Sequence, residues 1–140
     1  MTTIDDASFC PGFKVLLVDD EEAFVTTLHR RLKSRGIDAS VAFGGSEALA
    51  SIERNPTDVI VLDLNMPNID GLEVLRRVKA SGADTEVIIL TAHGSDAEER
   101  LVLEMGAFAH LTKPVEIDEL TLTMRDACLN MRRHPKEGGI

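Results

Sequence analysis

The run Val59-Ile60-Val61-Leu62 most narrows the folds open to this chain. It is apolar throughout and mostly β-branched, so it reads as a strand buried on both faces. Strands of that kind belong to parallel sheets with helices on both sides. The run ends directly in Asp63 and continues as Leu64-Asn65-Met66-Pro67-Asn68-Ile69-Asp70-Gly71. Met66-Pro67 and Asp70-Gly71 are turn and helix-entry signals. A carboxylate at the carboxyl end of such a strand stands where open α/β sheets place their ligands. Asp63 is therefore read as the chemical centre of the chain.

The remaining sequence repeats a strand-then-helix unit. Lys14 to Val18 is a first buried strand, ending at Asp19-Asp20. A helix follows with Ala23, Phe24, Leu28 and Leu32 on one face, closed by Gly36. Ile37 to Phe43 is a second strand, more polar and so a candidate edge. Gly44-Gly45-Ser46 opens a helix burying Ala48, Leu49 and Ile52, with Asn55-Pro56 as its stop. Asp70 caps a third helix carrying Leu72, Leu75 and Val78. Glu86 to Leu90 is a fourth strand, terminating in Thr91-Ala92-His93-Gly94. Ser95 and Glu98 have the spacing of a capping box for a fourth helix, with Leu101, Val102 and Met105 as its apolar face and Gly106 as its end. Ala107 to Leu111 is a short fifth strand, followed by Thr112-Lys113-Pro114. The last helix, about Glu116 to Arg133, carries Ile117, Leu120, Met124, Ala127, Cys128 and Met131 at helical spacing.

Five βα units in succession require crossovers of one hand and helices on both faces. A doubly wound α/β fold with a five-stranded parallel sheet of order 2-1-3-4-5 follows, its switch point lying between the first and third strands. Residues 13–132 form one domain, 1–12 a flexible lead-in, and 133–140 a disordered tail or the start of a linker.

A formal charge of -9 argues against direct nucleic-acid binding, which needs Lys and Arg to neutralise phosphates. The absence of Trp and Tyr leaves base-stacking surfaces poorly supplied. No apolar run approaches the roughly 18 residues that span a bilayer, and the acidic start lacks the regions of a signal peptide. A cytoplasmic protein without membrane contact is expected. Cys10 and Cys128 then read as unpaired thiols, Cys128 packing in the core.

The strand ends supply the chemistry. Asp19 and Asp20 follow strand one, Asp63 strand three, Thr91 strand four and Lys113 strand five. Strands one and three flank the switch point, so three carboxylates converge in one crevice. Two like charges about 4 Å apart repel by roughly 4 kcal/mol at an effective dielectric near 20. Such a cluster raises a carboxylate pKa or holds a cation, and oxygen-only ligands with open water positions suit Mg²⁺. Beside it, Lys113 can neutralise phosphoryl oxygens, Thr91 can hydrogen-bond one, and Asp63 can act as nucleophile. The loop Asp19-Asp20-Glu21-Glu22 contains no glycine, so it is not a nucleotide cradle.

Taken together, Val18-Asp19-Asp20-Glu21, Asp63 to Gly71, Thr91-Ala92, Gly106-Ala107 and Lys113-Pro114 resemble the receiver domain of response regulators. The resemblance covers roughly residues 13 to 132 and implies a flavodoxin-like fold. It further implies a phosphoacceptor at Asp63, and Mg²⁺ held by Asp20, Asp63 and the main-chain carbonyl of Asn65, with Asp19 acting through water. Lys113 would pair with the phosphoryl group, and Lys113-Pro114 would be a cis peptide. Thr91 would move toward the phosphoryl group as a switch residue, with His110 where the family usually has Tyr or Phe. Because imidazole titrates near neutrality, His110 is expected to make the switch pH-sensitive. Asn65 and His93 would line the path of attacking water and tune hydrolysis.

The implied function is a two-component or phosphorelay switch rather than a turnover enzyme. It would take its phosphoryl group from a sensor histidine kinase or a histidine phosphotransfer protein. Its fourth-helix, fifth-strand and fifth-helix surface would then change for an output partner or for a second copy of the chain. Three rivals stand beside it. A small Asp-nucleophile phosphatase would favour a carboxylate where Asn65 stands. A receiver-like interaction module would need no phosphate. The chain could also be the receiver part of a longer regulator. Taken singly, each site residue has a plainer reading: Asp19-Asp20 as a helix cap, Thr91 as a strand residue, Lys113 as a loop charge. His29 and His134 read as solvated.

Overall fold

The computed structural model describes residues 12–66 and 70–133, with only the helical backbone of Arg132 and Arg133. The lead-in and tail fall almost wholly outside the described residues, as do Cys10, Pro67, Asn68, Ile69 and His134. Elements alternate strictly: β1 (Lys14–Val18), α1 (Glu22–Lys33), β2 (Asp38–Ala42), α2 (Gly45–Arg54), β3 (Val59–Leu62), α3 (Gly71–Ala80), β4 (Glu86–Thr91), α4 (Asp96–Glu104), β5 (Ala109–Thr112) and α5 (Ile117–Arg133). The strands form one parallel sheet of order β2-β1-β3-β4-β5, with β2 at an edge as its polarity suggests. β1 and β3 pair directly at the switch point, Val18 opposite Leu62.

Successive strand residues point to opposite faces, so each central strand feeds two cores. Val15, Leu17, Val59, Val61, Ile88 and Leu90 pack with α1 and α5. Leu16, Val18, Ile60, Leu62, Val87 and Ile89 pack with α2, α3 and α4. On α1 the inward stripe is Val25, Leu28 and Leu32, whereas Ala23 is exposed and Phe24 half-buried. Leu28 and Leu32 stand as expected; only the first turn differs, with Val25 buried and Phe24 at the edge of the core, its ring under Lys113. On α4 Val102 is the buried residue and Leu101 is exposed.

β2 and β5 begin later than their apolar runs suggest, for one physical reason. At the end of α1 the Gly36 N–H donates to Lys33 O and the Ile37 N–H to Leu32 O. At the end of α4 the Gly106 N–H donates to Leu103 O and the Ala107 N–H to Val102 O. Both are Schellman caps with a glycine at positive φ, and they take the amides of Ile37 and Ala107 away from the sheet.

Two expectations need correction. Cys128 is buried on the core-facing side of α5 as expected, but it is disulfide-bonded rather than a free thiol. Pairing depends on spatial approach, which the spacing of the chain's two cysteines does not reveal. His29 is half-buried, not solvated: its Nε2 lies 2.8 Å from the Ala39 carbonyl, joining α1 to β2.

Candidate functional site

The site is built on backbone that the sheet itself secures. Just past β3, the Asp63 N–H donates to Val18 O at 3.0 Å; just past β1, the Asp19 N–H donates to Ala42 O at 3.1 Å. The Lys113 N–H donates to Thr91 O at 2.8 Å. Asp19, Asp63 and Lys113 are thus each fixed to a neighbouring strand, a placement better defined than a free loop gives. The α3 entry closes the pocket from one side. A Cβ on Gly71 would collide with the Asp63 carbonyl and lie 2.6 Å from Leu64 Cα, so only glycine lets α3 start this close.

Asp19, Asp20 and Asp63 can bring one oxygen each within 4.8 Å of one another. Asp19 and Asp63 are buried and Asp20 is exposed. Lys113 reaches in from the end of β5: its Nζ lies 2.7 Å from Asp19 Oδ2, 3.0 Å from Glu21 Oε1 and 4.0 Å from Asp63 Oδ2. The second Asp19 oxygen accepts the Glu21 N–H at 2.9 Å, and Asp63 Oδ1 accepts the Asn65 N–H at 3.2 Å. Burial pushes the Asp63 carboxyl above the ordinary aspartate range, and the charges of Asp19 and Asp20 add to the rise, against the Asn65 N–H and Lys113. Burial alone would lower Lys113. Its hydrogen bonds to Asp19 and Glu21, with the charges of Asp19 and Asp63, outweigh this and hold it above the ordinary lysine range.

Thr91 is fully buried at the end of β4, and its Oγ1 accepts a hydrogen bond from Asn65 Nδ2 at 3.2 Å. His93 is exposed two residues further on, and no described hydrogen bond joins it to Asp63. The Lys113-Pro114 peptide is cis. The His110 ring is only 5% exposed, with Nε2 2.9 Å from Glu98 Oε2. The space it fills exists because residue 94 has no side chain: a Cβ on Gly94 would run into the imidazole, 2.9 Å from Nε2. Of the expected capping box only one half forms. Ser95 Oγ accepts the Glu98 N–H at 3.0 Å, while the Glu98 carboxylate goes to His110.

Asp19, Asp20, Asp63, Thr91 and Lys113 stand together in one crevice, as their strand-end positions imply. Three further participants do not stand out in the sequence. Glu21 reads there as part of an acidic loop and of the receiver-like motif but without a role of its own, and Glu98 only as a cap. Phe24 falls on the expected core stripe, yet its ring lies 4.3 Å beneath the Lys113 ammonium. The sequence signal for Phe24 is weak: an aromatic one turn into the helix that follows the acidic pair.

A doubly wound (βα)₅ sheet, with three carboxylates at its switch point and a lysine from the last βα loop, defines a receiver-type signalling module. The chain belongs to the response regulator receiver domain family, whose model matches residues 15–125. It is similar to Response regulator MprA of Mycobacterium sp. (strain KMS), at 40% identity over 125 residues, covering 89% of this chain and 54% of that protein. Transcriptional regulatory protein TrcR of Mycobacterium tuberculosis is 41% identical over 112 residues, covering 80% of this chain and 44% of its own length. The chain thus spans about half the length of the curated relatives it matches. Among solved structures, the Francisella response regulator 1452 receiver domain superposes with a TM-score of 0.81 at 37% identity, covering 86% of this chain and 99% of that one. The receiver domain of a Luxo repressor protein from Vibrio parahaemolyticus gives 0.82 at 30%, with 86% and 93% covered. The chain is a receiver domain of a two-component response regulator.

Proposed function

We propose that Asp63 is a phosphoacceptor, charged by the phosphohistidine of a sensor histidine kinase or a histidine phosphotransfer protein. One observation carries this reading: a buried carboxylate at the switch point has two further carboxylates within 4.8 Å and an ammonium 4.0 Å away. An Asp63 oxygen bonds to phosphorus as the phosphorus–nitrogen bond of the donor breaks, and the imidazole leaves with a proton. Lys113 moves from Asp19 and Glu21 to the incoming phosphoryl oxygens, and Thr91 gives up Asn65 to donate its hydroxyl to one of them.

The donor set fits a hard divalent ion, because its atoms are oxygens and their negative charge exceeds what Lys113 balances. Asp20, Asp63 and the Asn65 main-chain carbonyl would hold Mg²⁺, with Asp19 reached through water, and the ion would neutralise phosphoryl charge. An open groove of about 480 Å³ between α1 and the loop after β5, which shares Phe24 with the cleft that holds Asp63, supports a docking place for the donor. It is lined by Phe24, Thr27, Arg31, Pro114, Val115 and Ile117, among others. Exposed Leu101 and Leu103 on α4 and Leu122 on α5 support that face as the output surface, for a partner or a second phosphorylated copy. His110 and Glu98 tie β5 to α4 within it. Their contact is an ion pair only when the ring is protonated. Asn65 and His93 tune hydrolysis, and the domain acts as a switch without turnover of phosphate esters.

Intact mass after incubation with acetyl phosphate and Mg²⁺ tests the reading. One phosphoryl group is expected on the wild type, none on Asp63→Asn, and none in EDTA. An unmodified wild type with both acetyl phosphate and a histidine phosphodonor would instead favour a phosphate-independent interaction module. No described helix is long and apolar enough to cross a membrane.

A further inference from the structure

We infer that Phe24 is a positioning residue for Lys113, and that its ring is the wall through which the α1 groove meets the phosphoryl site. This rests on the function proposed above. The Lys113 side chain is held by three carboxylates and one aromatic face. The carboxylates are of little use once phosphate arrives, since Asp19 and Glu21 compete with it for the same ammonium protons. A ring face attracts the cation through its quadrupole without consuming a hydrogen-bond donor. Nζ can therefore pass from Asp19 to a phosphoryl oxygen beside Asp63 without leaving the ring. A long, flexible lysine stem gains orientation that an aliphatic neighbour of equal size would not supply.

The ring has a second side. Phe24 lines the narrow cleft that also contains Asp19 and Asp63, and it lines the wide groove bounded by Pro114, Val115 and Ile117. Lys113 and Pro114 are adjacent residues, so the ring and the loop that carries the lysine both border the groove. A phosphodonor seated in that groove would border the residue that positions the lysine.

Two measurements on the full chain test this. Phosphorylation by acetyl phosphate with Mg²⁺, followed by intact mass, should slow roughly fivefold in Phe24→Leu and stay within twofold of wild type in Phe24→Tyr. In a Lys113→Ala background the Phe24→Leu change should have no further effect, whereas a general packing role would slow that variant too. Labelling of Lys113 by an amine-reactive ester, read by peptide mass spectrometry without phosphodonor, should rise severalfold in Phe24→Leu while Lys33 stays constant. Urea unfolding confirms that the variants are folded. Unchanged Lys113 labelling in folded Phe24→Leu overturns the inference even if Asp63 is phosphorylated. Increased labelling in a protein whose Asp63 takes no phosphoryl group upholds the positioning and overturns the proposed function.

Discussion

The two ends of the sheet each hold a lysine among acidic and polar groups, and they solve opposite problems. At the amino end, Lys79 on α3 lies 3.3 Å from Glu86 on β4 and donates to Thr85 O at 3.1 Å. The other Glu86 oxygen accepts Asn130 of α5 at 2.8 Å, and Thr85 Oγ1 donates to Thr57 O at 2.7 Å. One cation meets one anion, and neutral groups fill the remaining positions. At the carboxyl end, Lys113 faces Asp19, Glu21 and Asp63, with Asp20 adjoining. Exposure does not separate the two: side chains are 17% and 16% exposed for Lys79 and Glu86, 10% and 6% for Lys113 and Asp19. Charge balance does. A matched pair tethers elements to each other, whereas several carboxylates around one lysine leave negative charge that Lys113 alone does not balance.

Exchanging the two lysines for methionine breaks this comparison most sharply. Lys113→Met should slow phosphorylation by acetyl phosphate about 100-fold, the scale of losing one preorganised donor to developing charge. Lys79→Met should leave that rate within twofold, measured by the same mass assay. The order reverses for a stability measurement in Mg²⁺: urea unfolding should show Lys79→Met down by about 1–2 kcal/mol, because half-buried Glu86 loses its only described cation. Lys113→Met should lose less in Mg²⁺ than in EDTA, where nothing else offsets the carboxylates.

A smaller effect follows from Asp63 itself. Its carboxyl titrates above the unfolded value near 3.8, chiefly through burial. Above that raised pKa the ionised group destabilises the fold. As pH falls through it, the native state binds a proton the unfolded chain still lacks, and stability is recovered. In EDTA, Asp63→Asn should therefore be more stable than wild type by about 1 kcal/mol at pH 7. The gap should close as pH falls and vanish below about 3.8. Added Mg²⁺ should stabilise wild type and leave Asp63→Asn nearly unmoved. The smallest effect is expected at Glu73, whose carboxyl is held near pKa 2 by Arg76 and Arg77 on the exposed face of α3. Despite that large shift, Glu73→Gln should leave the urea midpoint unchanged, since solvent screens the pair.

Much of this architecture is legible in the amino-acid sequence. Runs such as Val59 to Leu62 declare themselves because both faces are buried and no polar residue is tolerated. Asp19, Asp63 and Lys113 are legible because chain order fixes which strand ends meet at a switch point. What escapes are matters of side-chain direction and competition between local and tertiary partners. Ser95 and Glu98 satisfy a capping-box pattern, yet a tertiary partner, His110, takes the glutamate. Ile37 and Ala107 look like strand residues, yet their amides belong to helix caps. At the start of α1 the buried position falls on Val25 and not on Ala23, while Phe24 both borders the core and carries the Lys113 ammonium over its ring. The disulfide at Cys128 has no sequence signal.

The marginal position of β5 has a kinetic consequence. It is hydrogen-bonded to β4 alone, and its residues are half-buried or exposed where those of β3 are fully buried. Its amides therefore belong to the low end of the molecule's opening free energies and should exchange with solvent well before those of β3. Thr91, opposite Thr112, stands a single ladder away from this loosest strand. A change of partner at the Thr91 hydroxyl, as proposed above, would be made one ladder from a strand whose amides open readily, so that a rearrangement worth little free energy would alter how frequently that edge is available to be bound.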